Sequence, residues 1–125
     1  MQYYDVFVYG TLRKGGAYHD LLKNAVLKQA SYQLPGYCLY DFQHWYPFLV
    51  RATAQDVVVG EIYTIDEPLL QELHLLEDVE GSLYRFLHLP QHGCYVYEKF
   101  DTDTQDLQLI PSGDWIQHVH EMQHH

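Results

Sequence analysis

One well-delimited helical stretch set among many strand-like runs is what most limits the folds open to this chain. Runs rich in β-branched and aromatic residues cover 4–10, 26–33, 36–41, 56–65, 84–89 and 94–100, with a shorter piece near 48–51. Pro90-Gln91-His92-Gly93 between two of them predicts an antiparallel hairpin. The helix starts at Asp66, an N-cap residue, with Glu67 and Pro68 suited to a first turn. Leu69, Leu73 and Leu76 recur at i, i+4 and i+7 as an apolar stripe, and Gly81 supplies a C-terminal stop. Weaker helical segments are expected over 17–25 and after Gly113. Many strands around one principal helix predict a small α+β domain with a mixed, mostly antiparallel sheet. Curling that sheet into a β-barrel or partial barrel would hide its edges. At 125 residues the chain suits a single domain, 1–125, able to build its own core.

The charge balance narrows the partners. Seventeen acidic residues against seven basic ones give a formal charge of −10. Nucleic-acid affinity comes mainly from neutralising phosphates, so this chain reads as neither a nucleic-acid binder nor a protein of anionic membranes. A small anion needs only a few local donors and stays possible. No run reaches the roughly 20 apolar residues of a spanning helix, and no leader pattern opens the sequence, so a cytoplasmic location is expected. Cys38 and Cys94 lie in aromatic, strand-like surroundings and read as free buried thiols.

Two segments carry chemistry. Val6-Phe7-Val8-Tyr9-Gly10-Thr11-Leu12 reads as a strand ending in a Gly-containing turn, followed by Arg13-Lys14-Gly15-Gly16. Such a turn offers backbone N–H groups to a carboxylate or an oxyanion. A plain hairpin turn needs the same residues. The second segment is the helix end. Four residues beyond Leu76 the stripe arrives at Glu80, which would face the buried side if helical geometry lasts that far. The negative helix C-terminus and the neighbouring Glu77 and Asp78 would raise its pKa and suit it to act as a base. A helix that ends earlier would leave Glu80 in water.

Read together, these segments resemble the gamma-glutamylcyclotransferase-like superfamily, nearest the gamma-glutamylamine cyclotransferases and their short bacterial relatives. The resemblance runs in order through Val6–Leu12, Tyr46-Pro47, Val59-Gly60-Glu61-Ile62-Tyr63, Leu76-Glu77-Asp78-Val79-Glu80-Gly81 with Leu83-Tyr84-Arg85, Cys94-Tyr95-Val96-Tyr97, and Ser112-Gly113-Asp114-Trp115. It covers nearly the whole chain. It implies a small mixed barrel flanked by helices, Glu80 as the catalytic residue, and Tyr9, Gly10, Thr11 and Leu12 as the substrate-binding turn. Glu77 stands where many members carry Asp, which keeps the charge.

The implied reaction is internal aminolysis. The α-amine of a γ-glutamyl group attacks its own γ-carbonyl, 5-oxoproline forms, and the attached amine leaves. That chemistry implies no metal or cofactor. It implies a base for the ammonium, a folded substrate and donors for the developing oxyanion. The turn would hold either that oxyanion or the substrate α-carboxylate. Tyr46, Tyr63, Tyr84 and Arg85 are candidate pocket residues. Core packing is an equal role for Tyr46 and Tyr63. For Arg85 an ion pair with Glu77 or Asp78 is the simpler one. Arg13 and Lys14 read by default as a solvated turn. The short chain leaves no long insert for an enclosing pocket, which favours γ-glutamyl amines over glutathione.

Other chemistries fit less well. The nine histidines include His118, His120, His124 and His125, but no spacing matches a zinc pattern, and no metal is expected. There is no Gly-x-Ser-x-Gly elbow and no Gly-Lys-Ser/Thr phosphate loop. The remaining alternative is a non-catalytic small-molecule binding protein of the same fold.

Overall fold

A computed structural model of the chain describes residues 2–77 and 83–123. Eight strands and two α-helices are assigned there: β1 (Tyr3–Val8), β2 (Val26–Pro35), β3 (Tyr37–Phe42), β4 (Tyr46–Arg51), β5 (Val57–Asp66), α1 (Glu67–Leu76), β6 (Tyr84–Leu89), β7 (Cys94–Lys99), β8 (Gln108–Ile110) and α2 (Trp115–Gln123). The α+β expectation holds. The strands hydrogen-bond as two sheets, β2-β5-β1-β7-β6 and β4-β3-β8, rather than as one closed ring. All pairings are antiparallel except β1 with β7, where Val6 lies opposite Tyr95.

β1 is central because it is buried on both faces. Val6, Phe7 and Val8 are all inaccessible or nearly so, and they belong to two different core clusters. Alternation explains this: Phe7 points to one face with Leu39, Leu49 and Trp115, while Val6 and Val8 point to the other with Leu70, Leu73 and Tyr97. The close approach of β1 and β5 requires Gly60, since a Cβ there would sit 2.2 Å from the Val8 carbonyl oxygen.

Three sequence expectations are corrected. The 17–25 segment forms only a 3-10 turn, His19–Leu22. Strand β8 has no counterpart among the sequence runs; it is three residues long and only Ile110 is buried. The stripe on α1 is rotated. Asp66 caps the helix as expected, accepting from the Leu69 N–H at 3.0 Å. The fully buried residues, however, are Leu70 and Leu73, while Leu76 is exposed. Both Leu69-Leu70 and Leu75-Leu76 are doublets, so the sequence fits two stripes and packing chooses one. Both cysteines are free; Cys94 is buried and Cys38 half-buried.

Candidate active site

β1 delivers the chain into the turn at Tyr9–Leu12, beneath the first residues of β4. Gly10 is required there by space rather than by φ, because a Cβ would stand 2.5 Å from the Pro47 ring. The turn's carbonyls are spent on the chain itself: Gly10 O accepts from Arg13 N–H at 3.0 Å and Thr11 O from Tyr18 N–H at 2.8 Å. Leu12 O lies 2.9 Å from His19 Nδ1.

Arg13 is no solvated turn residue. Its guanidinium bonds the Glu61 carboxylate on β5 and, at 2.9 Å, Asp114 just before α2. The second Glu61 oxygen accepts the Lys14 N–H at 2.8 Å. Glu61 is buried, so the turn is fastened to the sheet by a desolvated ion pair.

The turn walls a small cavity with Phe7, Val8, Tyr46, Pro47, Glu77, Tyr84 and Tyr97. Its free space is about 20 Å³, roughly one water. Three tyrosines are tied down around it. Tyr9 donates to the Tyr97 carbonyl at 2.5 Å, Tyr84 donates to the Pro47 carbonyl at 2.7 Å, and the Tyr97 hydroxyl meets His74 Nδ1 at 2.9 Å. Burial, and the Glu77 charge nearby, push all three phenols upward, so each is a neutral hydroxyl.

Among the described residues, Glu77 is the carboxylic acid that lines this cavity. It follows Leu70 and Leu73 on the buried side of α1, three and then four residues apart, and its own N–H closes the helix on Leu73 O at 2.9 Å. The residue is half-buried, and desolvation of its carboxyl raises the pKa to about 8. On sequence, Glu77 reads as a charge beside Glu80, a stand-in for the family's Asp and a candidate partner of Arg85, and not as a site residue. The sequence does contain the alternative stripe Leu70, Leu73 and Glu77, but no local signal ranks it above Leu69, Leu73 and Leu76. Glu80, the expected base, lies outside the described residues, as do Asp78 and Gly81.

Of the other expected residues, Tyr46 and Tyr84 line the cavity with Tyr9, Gly10, Thr11 and Leu12. Tyr63 is buried on β5 against His19, in the core rather than in the cavity wall. Arg85 stands apart on β6, donating to the Phe100 carbonyl at 2.7 Å and lying 4.0 Å from Glu98. Its carboxylate neighbour is thus Glu98 instead of Glu77.

The gamma-glutamyl cyclotransferase, AIG2-like family model matches residues 6–117, which spans this whole arrangement. The chain belongs to that family. Membership places it among enzymes of the cyclotransferase type. A Vibrio cholerae relative, named for the same activity, is 39% identical over 115 residues, covering 91% of this chain and 96% of its own. The Escherichia coli gamma-glutamylcyclotransferase family protein YtfP is 35% identical over 114 residues, with 89% and 95% covered. Among solved structures, a Pyrococcus horikoshii protein superposes with a TM-score of 0.79 at 27% identity, covering 98% of both chains. A mouse AIG2-like protein superposes at 0.61 with 26% identity, covering 79% and 78%. Among the described residues, no helix is long and apolar enough to cross a membrane.

Proposed function

We propose that this cyclotransferase family member converts a γ-glutamyl amide to 5-oxoproline and a free amine. The observation that carries this reading is a carboxyl of raised pKa and a strand-end turn sharing one cavity wall. The substrate's α-amine adds to the γ-carbonyl, the new C–N bond closes the lactam, and the γ-amide C–N bond breaks. The ammonium proton leaves through a carboxylate and reaches the departing amine. The Tyr9–Leu12 backbone N–H groups hold the γ-oxyanion or the α-carboxylate. Holding amine and carbonyl in a near-attack geometry supplies much of the acceleration. Because the cavity has room for about one water, wall side chains must move to admit a γ-glutamyl group.

Glu80 is assigned as the proton carrier on its motif, Leu76–Gly81. Glu77, its pKa raised by burial, lines the same cavity. A second reading makes Glu77 itself the base, and its position in the cavity wall favours it. For the substrate, γ-glutamyl amines are favoured over glutathione, since no long insert encloses the site. A Niallia circulans relative, 35% identical over 77 residues, is named a gamma-L-glutamyl-butirosin B gamma-glutamyl cyclotransferase.

The test is release of 5-oxoproline from γ-glutamyl-ε-lysine, γ-glutamyl-alanine and glutathione. Glu80→Gln should lower kcat about 10²–10⁴-fold with the fold intact, and Glu77→Gln far less. The opposite order would assign the base to Glu77. Binding of these compounds without turnover would establish a binding protein instead.

A further inference from the structure

At the β3–β4 turn, Asp41 and His44, three residues apart, meet His118 from 77 residues away. Asp41 on β3 is buried, at 2% exposure. His44 lies in the β3–β4 turn and His118 on α2. His44 Nδ1 and His118 Nε2 each stand 2.7 Å from the same oxygen, Asp41 Oδ2. The other oxygen, Oδ1, is taken by the His44 N–H at 2.7 Å. The carboxylate is therefore fixed by the backbone on one side and presents its second oxygen between two imidazoles. The three ligand atoms all lie within 4.8 Å of one another.

We propose that Asp41, His44 and His118 form a three-ligand site for a divalent transition metal of the zinc class. One carboxylate and two imidazoles are a donor set that zinc accepts, with a fourth position left for water. Bonds of about 2.0–2.1 Å in a tetrahedral site put ligand atoms about 3.3 Å apart. The two Asp–His separations must then widen by about 0.6 Å, and the His–His separation must settle at the same value. The His44 side chain is 60% exposed and its ring has room to shift. The His118 side chain is 12% exposed, so the inner wall of the site is pre-formed. Each ring would move its proton to its other nitrogen, and the metal would replace the two hydrogen bonds on Oδ2.

Access is open from outside. His44 and His118 border a groove of about 790 Å³ that also runs along Gln108, Glu121 and Met122. The net charge of −10 favours a cation over an anion there. The sequence missed the site because its ligands are 3 and 77 residues apart and come from a turn, a strand and a helix. A bound metal would pin α2 to the hairpin whose next residues, Tyr46 and Pro47, form the cavity wall.

The test is titration of the whole chain with Zn²⁺ by calorimetry, together with the visible spectrum of the Co²⁺ form. The His-rich end is controlled by substituting His120, His124 and His125 with Ala. One equivalent of Zn²⁺ should bind to that control as to the parent, and saturation should raise Tm by at least about 5 °C. His118→Ala and His44→Ala should each weaken binding at least about tenfold and abolish the Tm rise. His44→Ala changes an exposed turn residue, so its effect is not confused with loss of fold. Parent-like binding in both variants, or loss of binding in the tail control, would overturn the proposal.

Discussion

Arg13 and Glu61 form a buried ion pair that fastens the cavity turn to β5, with Lys14 N–H on the second carboxylate oxygen at 2.8 Å. Arg13→Ala leaves the buried Glu61 carboxylate without its cation, with only the neutral Lys14 N–H and Tyr63 hydroxyl beside it, whereas Glu61→Ala leaves Arg13 with Asp114 at 2.9 Å. The first should therefore cost more, about 3 kcal/mol, with the second smaller. Both should lower kcat/KM, by up to about 100-fold, through a displaced turn. Chemical denaturation and steady-state kinetics on the same preparations check the order. Equal stability losses would show that Asp114 does not compensate.

Gly10 is held by the ring of Pro47. A Cβ would meet Pro47 Cγ at 2.5 Å and Cδ at 2.7 Å, so Gly10→Ala should cost about 1–3 kcal/mol by overpacking. Trimming the ring should relieve it. The double variant Gly10→Ala/Pro47→Ala is expected to be more stable than the sum of the single changes by about 1 kcal/mol. A thermal-unfolding cycle that came out additive would refute the steric account.

Tyr84 donates a buried hydrogen bond to the Pro47 carbonyl at 2.7 Å. Tyr84→Phe leaves that oxygen without its partner and should cost about 1–2 kcal/mol. KM should change little, because the hydroxyl is already engaged with the chain. A large rise in KM at unchanged stability would make Tyr84 a substrate contact instead.

Glu77 gives the protein a particular dependence on pH. Burial lifts its folded pKa to about 8 from an unfolded value near 4.5. Between those values the unfolded chain has lost the proton and the folded one keeps it. This residue's contribution therefore makes stability fall as pH rises from about 4.5 to about 8, with a slope of at most about 1.4 kcal/mol per unit. Glu77→Gln stays neutral throughout, so it should flatten that part of the profile and raise Tm most at pH 8. Tm scans at pH 5, 6.5 and 8 compare the two. Parallel profiles would show that the carboxyl is solvated.

Much of the fold is legible locally. The strands from β1 to β7, the Asp66 cap and the Pro90–Gly93 hairpin follow from β-branched and aromatic runs, a capping carboxylate and turn residues. β8 escaped because three residues carry too little pattern against their neighbours. The α1 stripe escaped for a different reason: two leucine doublets make two faces equally apolar. Only packing against β1 and β5 decides that Leu70, not Leu76, is buried, and that choice turns Glu77 inward.

By itself, then, the sequence determined the element types, the α+β class and the family, since periodicity, caps and ordered short motifs are properties of neighbouring residues. The tertiary structure alone decided which charges are desolvated. Arg13 beside Lys14 reads as a surface turn until Glu61, 48 residues away, and Asp114 close on it. Asp41, His44 and His118 have no shared motif until β3 and α2 meet. Burial and pairing are long-range quantities, and a carboxylate's chemistry is set by what surrounds it in space.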